Sequence, residues 1–179
     1  MIKKNNQNGF SLIEAVFYVA ILGIVAISLI GFLSDVFFAY NKVQAKKAVL
    51  NNISTVLEVV SNDIRYAKTV YTPTSNFGSV DGQLSLESEI SPPTDHSKGF
   101  IDFYKDNGII YKRTDGSAPL PITSNRVFVT ELRFDRFISS LGKDTIKTTI
   151  KGKINIASSD PQYNFSTSLT STSALRGGY

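Results

Sequence analysis

One ionisable side chain stands inside the longest apolar run of this chain. From Phe10 to Leu33 the sequence reads FSLIEAVFYVAILGIVAISLIGFL, and Glu14 alone in that run can carry a charge. A carboxylate at the centre of a membrane helix costs about 2.5–3.5 kcal/mol on insertion scales, so such residues mark functional sites and find partners. Glu14 lies only one turn into the run, where a carboxylate can also reach the interface and need no partner. Other groups that could do chemistry are sparse. His96 is the sole histidine and sits in the loop pattern Pro92-Pro93-Thr94-Asp95. Asp102, Asp106 and Asp115 read as ordinary hairpin and turn positions. The absence of Cys excludes disulfides, thiolate nucleophiles, Cys lipidation and Cys-based metal sites. No EF-hand loop, phosphate loop, dinucleotide fingerprint or nucleophile elbow occurs. The reading is therefore of a protein that is not an enzyme, with no catalytic residues, no cofactor and no metal site.

The element that must position Glu14 is a helix. At about 1.5 Å per residue, Phe10 to Leu33 covers roughly 36 Å, against a bilayer hydrocarbon core of about 30 Å. The preceding segment, MIKKNNQNG, is short and polar and carries Lys3 and Lys4. Positive residues stay cytoplasmic, which orients the N-terminus inward and the bulk of the chain outward. A secretory signal peptide would have a shorter apolar core followed by a small-residue cleavage site, and neither is present. Gly23 and Gly31 interrupt the run with small residues that suit close approach of membrane helices.

Gly9-Phe10-Ser11-Leu12-Ile13-Glu14, after a short Lys-containing leader and at the start of a long apolar helix, resembles the processing site of type IV prepilins and type II secretion pseudopilins. The resemblance is close over about the first third of the chain. It implies that a prepilin peptidase and N-methyltransferase cuts after Gly9, that Phe10 becomes the N-methylated terminus, and that Glu14 pairs with the terminal amine of a neighbouring subunit during filament assembly. Gly9 suits a scissile bond because it has no side chain to obstruct approach to the backbone. Two charges that are costly alone in an apolar medium offset part of each other's penalty when paired, and a misregistered subunit would leave one unpaired. Many major pilins carry a proline late in the apolar run; this chain has none before Pro73. The implied partners are other pilins or pseudopilins in a hetero-oligomeric filament. The implied location is the cytoplasmic (inner) membrane as a single-pass protein, then a surface or periplasmic filament.

Beyond the apolar run the pattern becomes amphipathic. Val36, Val43, Leu50, Leu57 and Ile64 recur at heptad spacing, with Ile53, Val60 and Ala67 as a second row, while Asn41, Lys42, Lys46, Asn51, Asn52, Glu58 and Asn62 make a polar face. One helix is expected from about Phe10 to about Lys68. Thr72 to Ser97 reads as loop with a short strand at Leu84 to Glu87. Phe100 to Tyr104 and Ile109 to Lys112 flank Asn107-Gly108, a hairpin signal. Pro119 and Pro121 mark a second loop, from Thr114 to Ser124. Arg126 to Phe137 changes phase, which places a bulge at Thr130 or Glu131. Ile146, Thr148, Ile150, Gly152, Ile154 and Ile156 alternate with Lys147, Thr149, Lys151, Lys153 and Asn155. After a turn at Ser158 to Pro161, Tyr163, Phe165, Thr167, Leu169, Ser171 and Leu175 keep the same period, so one face of each strand is buried.

The fold class is therefore α+β and pilin-like: a long N-terminal helix, membrane-spanning in its first half, packed on a C-terminal antiparallel β-sheet. The segments are a leader at 1–9, the transmembrane half of the helix at 10–34, its amphipathic half at 35–68 and a β-rich domain at 69–179. Asp63-Ile64-Arg65-Tyr66-Ala67 and the late strands look more like a minor pilin or a J-type pseudopilin than an abundant major pilin. The net charge of +4 and pI of about 9.2 would suit a nucleic-acid partner, yet the basic residues are scattered among acidic ones and support none. Two alternatives stand beside the structural subunit: a DNA-binding minor pilin of a competence pilus, and a membrane-tethered enzyme or signalling domain.

Overall fold

The structure is a computed structural model that describes residues 11–89, 98–138, 143–155 and 165–176. The element order is α1 (Leu12–Tyr66), β1 (Thr69–Val70), β2 (Leu84–Ser88), β3 (Gly99–Asp106), β4 (Ile109–Thr114), β5 (Leu120–Pro121), β6 (Val127–Ile138), β7 (Asp144–Ile154) and β8 (Ser166–Ala174). This is the expected α+β arrangement, a long N-terminal helix followed by antiparallel strands. The chain forms two compact units, Met1–Asn41 and Lys42–Tyr179.

The described part of the first unit is helical from Leu12 onward and exposes every side chain. Its hydroxyls are satisfied within the helix: Ser28 Oγ donates to Ile24 O at 2.9 Å and Ser34 Oγ to Ile30 O at 3.0 Å. Such bonds to the preceding turn hide the polar atom without a tertiary partner.

In the second unit the helical residues Ala45, Val49, Ile53, Val56, Leu57, Val60, Ile64 and the following Ala67 are buried. The heptad row places Ile53, Leu57, Val60, Ile64 and Ala67 correctly and errs further toward the N-terminus: Val36 and Val43 are about half exposed, at 47% and 49%. A straight α-helix drifts by about 20° per heptad, so a strict seven-residue row rotates out of the contact stripe within a few turns. Spacings of three and four that follow the helix lead instead to Ala45, Val49 and Val56. Asn52 also departs from the polar-face reading. It is half-buried, donates Nδ2 to Ala48 O at 2.9 Å and accepts Ser124 N at Oδ1 at 2.8 Å, fastening the loop after β5 to the helix.

The strands divide into two antiparallel sheets rather than one, ordered β1-β2-β3-β4-β5 and β6-β7-β8. The β3–β4 turn is left-handed at both central residues, Asn107 with φ 48° and Gly108 with φ 77°, as a two-residue hairpin turn requires. Register slips between Val129 and Glu131, so Thr130 is the bulged residue. On β7, Ile146, Thr148, Ile150 and Gly152 are buried and alternate with outward Lys147, Lys151 and Lys153. On β8, Thr167, Leu169, Ser171 and Ser173 occupy the inward phase. The expectations for Ile156, the Ser158–Pro161 turn and Tyr163 lie outside the described residues, as does His96.

The two sheets meet where the outer edge of β6 is capped. Val129 N donates to Gly108 O, Gly82 N to Leu132 O, Leu132 N to Val80 O and Gly78 N to Phe134 O, at 2.7–2.9 Å. Gly82 permits this approach: a Cβ there would stand 2.8 Å from Leu132 O. The shared core joins Val49, Ile53, Val56, Val60 and Ile64 to Leu84, Leu86, Phe103 and Ile110 of the first sheet and to Val127, Leu132, Phe134, Ile146 and Ile150 of the second.

Candidate functional site

Glu14 occupies the first turn of α1. Ala15 N donates to Ser11 O at 3.1 Å, which makes Ser11 the N-cap and Glu14 the third helical residue. The Ser11-x-x-Glu14 spacing is that of a capping box, a second role for Glu14 that the local pattern carries. An anion in a first helical turn gains about 0.3–1 kcal/mol from the helix dipole. The cost of about 2.5–3.5 kcal/mol applies to a charge deep in a bilayer, whereas Glu14 lies one turn from the helix start, where a carboxylate reaches the interface. Gly9 and Phe10 lie outside the described residues.

The helix that carries Glu14 exposes Leu12, Ile13, Phe17, Val19, Leu22, Ile24, Ile27, Ile30 and Phe32, each by more than half of its surface. It is long and apolar enough to cross a membrane, and none of its most apolar stretch is buried. Exposure of this extent in water would be prohibitive at about 25 cal/mol per Å² of apolar surface. The exposed apolar helix fits a membrane-anchored protein. A Cβ added at Gly23 or Gly31 would meet nothing within 4 Å, so neither glycine is required by contacts within the chain.

The second unit offers polar clusters of another kind. Asp102 is not a turn residue: it stands mid-strand in β3, only 8% exposed. Its carboxylate accepts Ser85 Oγ at 2.7 Å and Arg113 Nε and Nη2 at 3.1 and 2.5 Å, and Thr74 Oγ1 donates to Ser85 Oγ at 2.8 Å. The hydrogen bond from Arg113 to Asp102, reinforced by the carboxylate's charge, raises the guanidinium pKa. These groups satisfy one another and cross-brace β2, β3 and β4, leaving no nucleophile poised beside a base. Asp106 closes β3 and Asp115 follows β4, as hairpin and turn residues should. Asp63 of α1 and Lys112 of β4 approach to 2.6 Å as an ion pair, although Asp63 Oδ2 lacks hydrogen-bond geometry. At the entry to β1, Lys68 hydrogen-bonds Glu89, which raises the Lys68 pKa and lowers that of Glu89. Among the described residues no group of three or more His, Cys, Asp or Glu could hold a metal.

The outward lysines of β7 have acidic company. Glu131 stands opposite Lys151 and Asp135 opposite Lys147, while Lys153 lies 5.5 Å from the centroid of the Phe128 ring. This is the composition of a solvated strand surface.

Residues 4–30 match the family model described as the prokaryotic N-terminal methylation motif. No curated protein and no solved structure matches the chain. The matched segment contains Gly9, Phe10 and Glu14 and supports a type IV pilin-like family, with a precursor of pilin or pseudopilin type. The motif implies, in general terms, processing by a prepilin peptidase and assembly with other pilins, and it suggests a structural subunit rather than an enzyme.

Proposed function

We propose that this pilin-type precursor is a minor pilin or pseudopilin, trimmed between Gly9 and Phe10, N-methylated on Phe10 and built into a filament through α1. In this reading the N-terminus lies in the cytoplasm and the β-rich unit outside. Segments 1–9, 10–34, 35–68 and 69–179 serve as leader, anchor, packing helix and globular head. Glu14 neutralises the N-terminal amine of a neighbouring subunit and so sets register. The observation that carries the proposal is the coincidence of the methylation motif over residues 4–30 with a helix whose most apolar stretch is not buried within the chain. Glycines at 23 and 31 with no intramolecular contact support packing between subunits. The acidic residues opposite the β7 lysines weigh against the DNA-binding alternative.

Co-expression with a prepilin peptidase tests the processing step: intact mass should show loss of MIKKNNQNG and addition of one methyl group. Glu14→Ala and Glu14→Gln should both leave cleavage and insertion intact while lowering the fraction cross-linked to neighbouring pilins. Wild-type incorporation of both variants would overturn the register role of Glu14, and an uncut chain in the presence of active peptidase would overturn the precursor reading.

A further inference from the structure

Sheet edges expose rows of unpaired N–H and C=O groups, and proteins guard them with brevity, charge, proline, bulges or a covering loop. Among the described residues, three of the four sheet edges are guarded. β1 and β5 have two residues each, and β5 ends in Pro121. The outer edge of β6 is capped by Gly78, Val80, Gly82 and Gly108. β8 is different. It has nine residues, STSLTSTSA, with no charge and no proline, and its register with β7 runs unbroken from Lys153↔Ser166 to Thr145↔Ala174.

Which backbone groups face away from β7 follows from the register. Leu175 N donates to Asp144 O, so odd-numbered residues of this strand bond to β7 and even-numbered ones point outward. Ser166, Ser168, Thr170, Thr172 and Ala174 are all exposed, and among the described residues none has a backbone partner on that side. Beside this edge α1 and β8 border a cavity of about 680 Å³ with Leu57, Glu58, Val59, Asn62 and Ser171 in its wall and Arg65 toward one end, so the single carboxylate, Glu58, lies about two turns of α1 from Arg65. At its far end Arg176 N meets Arg65 O at 3.4 Å, and a second cavity of about 470 Å³ is bordered by Arg65, Lys143 and Arg176. No ion pair neutralises these three cations among the described residues, and no carboxylate lines that cavity.

We infer that the β8 edge is a docking site for an extended segment of another protein, added as an antiparallel strand and carrying acidic residues at the end that lies beside Ala174. One row of its side chains enters the trough beside Leu57 and Val59 and is small and apolar. The backbone pairs with the even-numbered residues of β8, and the acidic end meets Arg65, Lys143 and Arg176. A second copy of this chain fits less well, because residues 161–176 contain no Asp or Glu to meet those cations. The inference stands on the second unit alone and is independent of the filament reading.

The test uses the full chain in detergent micelles and the probe acetyl-Glu-Glu-Val-Thr-Val-Thr-Val-Thr-amide, with amide exchange followed residue by residue. Saturating probe should slow exchange at Ser168, Thr170 and Thr172 by about tenfold or more, with little change at Leu169 and Ser171, already bonded to β7. Replacing the two acidic residues of the probe by lysines should weaken binding about tenfold, and Arg65→Glu with Arg176→Glu should reverse that order. Thr170→Pro removes an outward N–H and no ladder bond, so it should abolish binding while exchange along β7 stays slow. Unchanged exchange at the even-numbered residues, equal binding of the acidic and basic probes, or full binding by Thr170→Pro would each overturn the inference. Slowing of the same amides by protein concentration alone, without probe, would overturn it in favour of self-association.

Discussion

Gly152 and Ile53 should be energetically coupled across the contact between α1 and the β6-β7-β8 sheet. A Cβ built on Gly152 lies 3.0 Å from Ile53 Cδ1, 3.4 Å from Val127 Cγ1 and 3.6 Å from Ile53 Cγ1, so only the first contact is too close. Gly152→Ala alone forces that methyl aside, an overpacking cost of about 1–3 kcal/mol, offset by about 0.5–1 kcal/mol because glycine is itself unfavourable inside a strand. Ile53→Val alone removes Cδ1 from a fully buried site and costs about 0.5–1.5 kcal/mol. In the double variant the new Cβ occupies space that Cδ1 vacates. Its stability should lie within about 0.5 kcal/mol of the parent, where addition of the single effects predicts a loss of about 2 kcal/mol. Urea unfolding of a chain beginning at Lys42, with all four members of the cycle measured at constant m, reads the coupling. Additivity within about 0.3–0.5 kcal/mol would refute the contact, and with it this packing of the helix on the sheet.

That shortened chain should itself be soluble and give a mixed α and β circular dichroism spectrum, since its buried helix face and both sheets are retained; a disordered or wholly helical spectrum would contradict the fold. Gly108→Ala should destabilise it by about 2–3 kcal/mol in the same urea assay, because φ is +77° and the new methyl would stand 2.5 Å from the Phe128 ring. Asp63→Asn and Lys112→Met should show a coupling of about 1–2 kcal/mol, above the range for exposed pairs because the two side chains are only 16% and 24% exposed; a coupling near zero would mean the pair is solvent-screened. The Lys68–Glu89 pair depresses the Glu89 pKa, so its small, solvent-screened contribution is present above the ordinary carboxylate range and is lost as pH falls from that range through the depressed value. In Glu89→Gln the Lys68 pKa should fall back toward its ordinary value, and an unshifted Lys68 titration by NMR would contradict the pairing.

Much of the architecture was written in local pattern. The Asn107-Gly108 turn follows from backbone sterics, because few residues other than Asn and Gly accept positive φ there. The bulge at Thr130 shows as a change of phase, since side chains alternate with period two and one extra residue reverses them. The buried isoleucines of β7 show for the same reason. The split into two sheets left no such trace. It depends on Gly78, Val80 and Gly82 capping β6, contacts between segments some fifty residues apart in sequence that alternation cannot encode.

The candidate site divides along the same line. Residue type and spacing alone singled out Gly9, Phe10 and Glu14 as a candidate group and showed the bilayer-length helix, because motif, helix start and hydropathy are all properties of contiguous residues. Only the tertiary structure decided that Asp102 is a buried brace bonded to Ser85 and Arg113, that Asn52 ties a loop to α1, and that Arg65, Lys143 and Arg176 converge at the end of an open strand edge. Those roles arise when packing brings distant polar groups together and removes water from around them. The cost of leaving such groups unpaired is then set by neighbours that no local window contains.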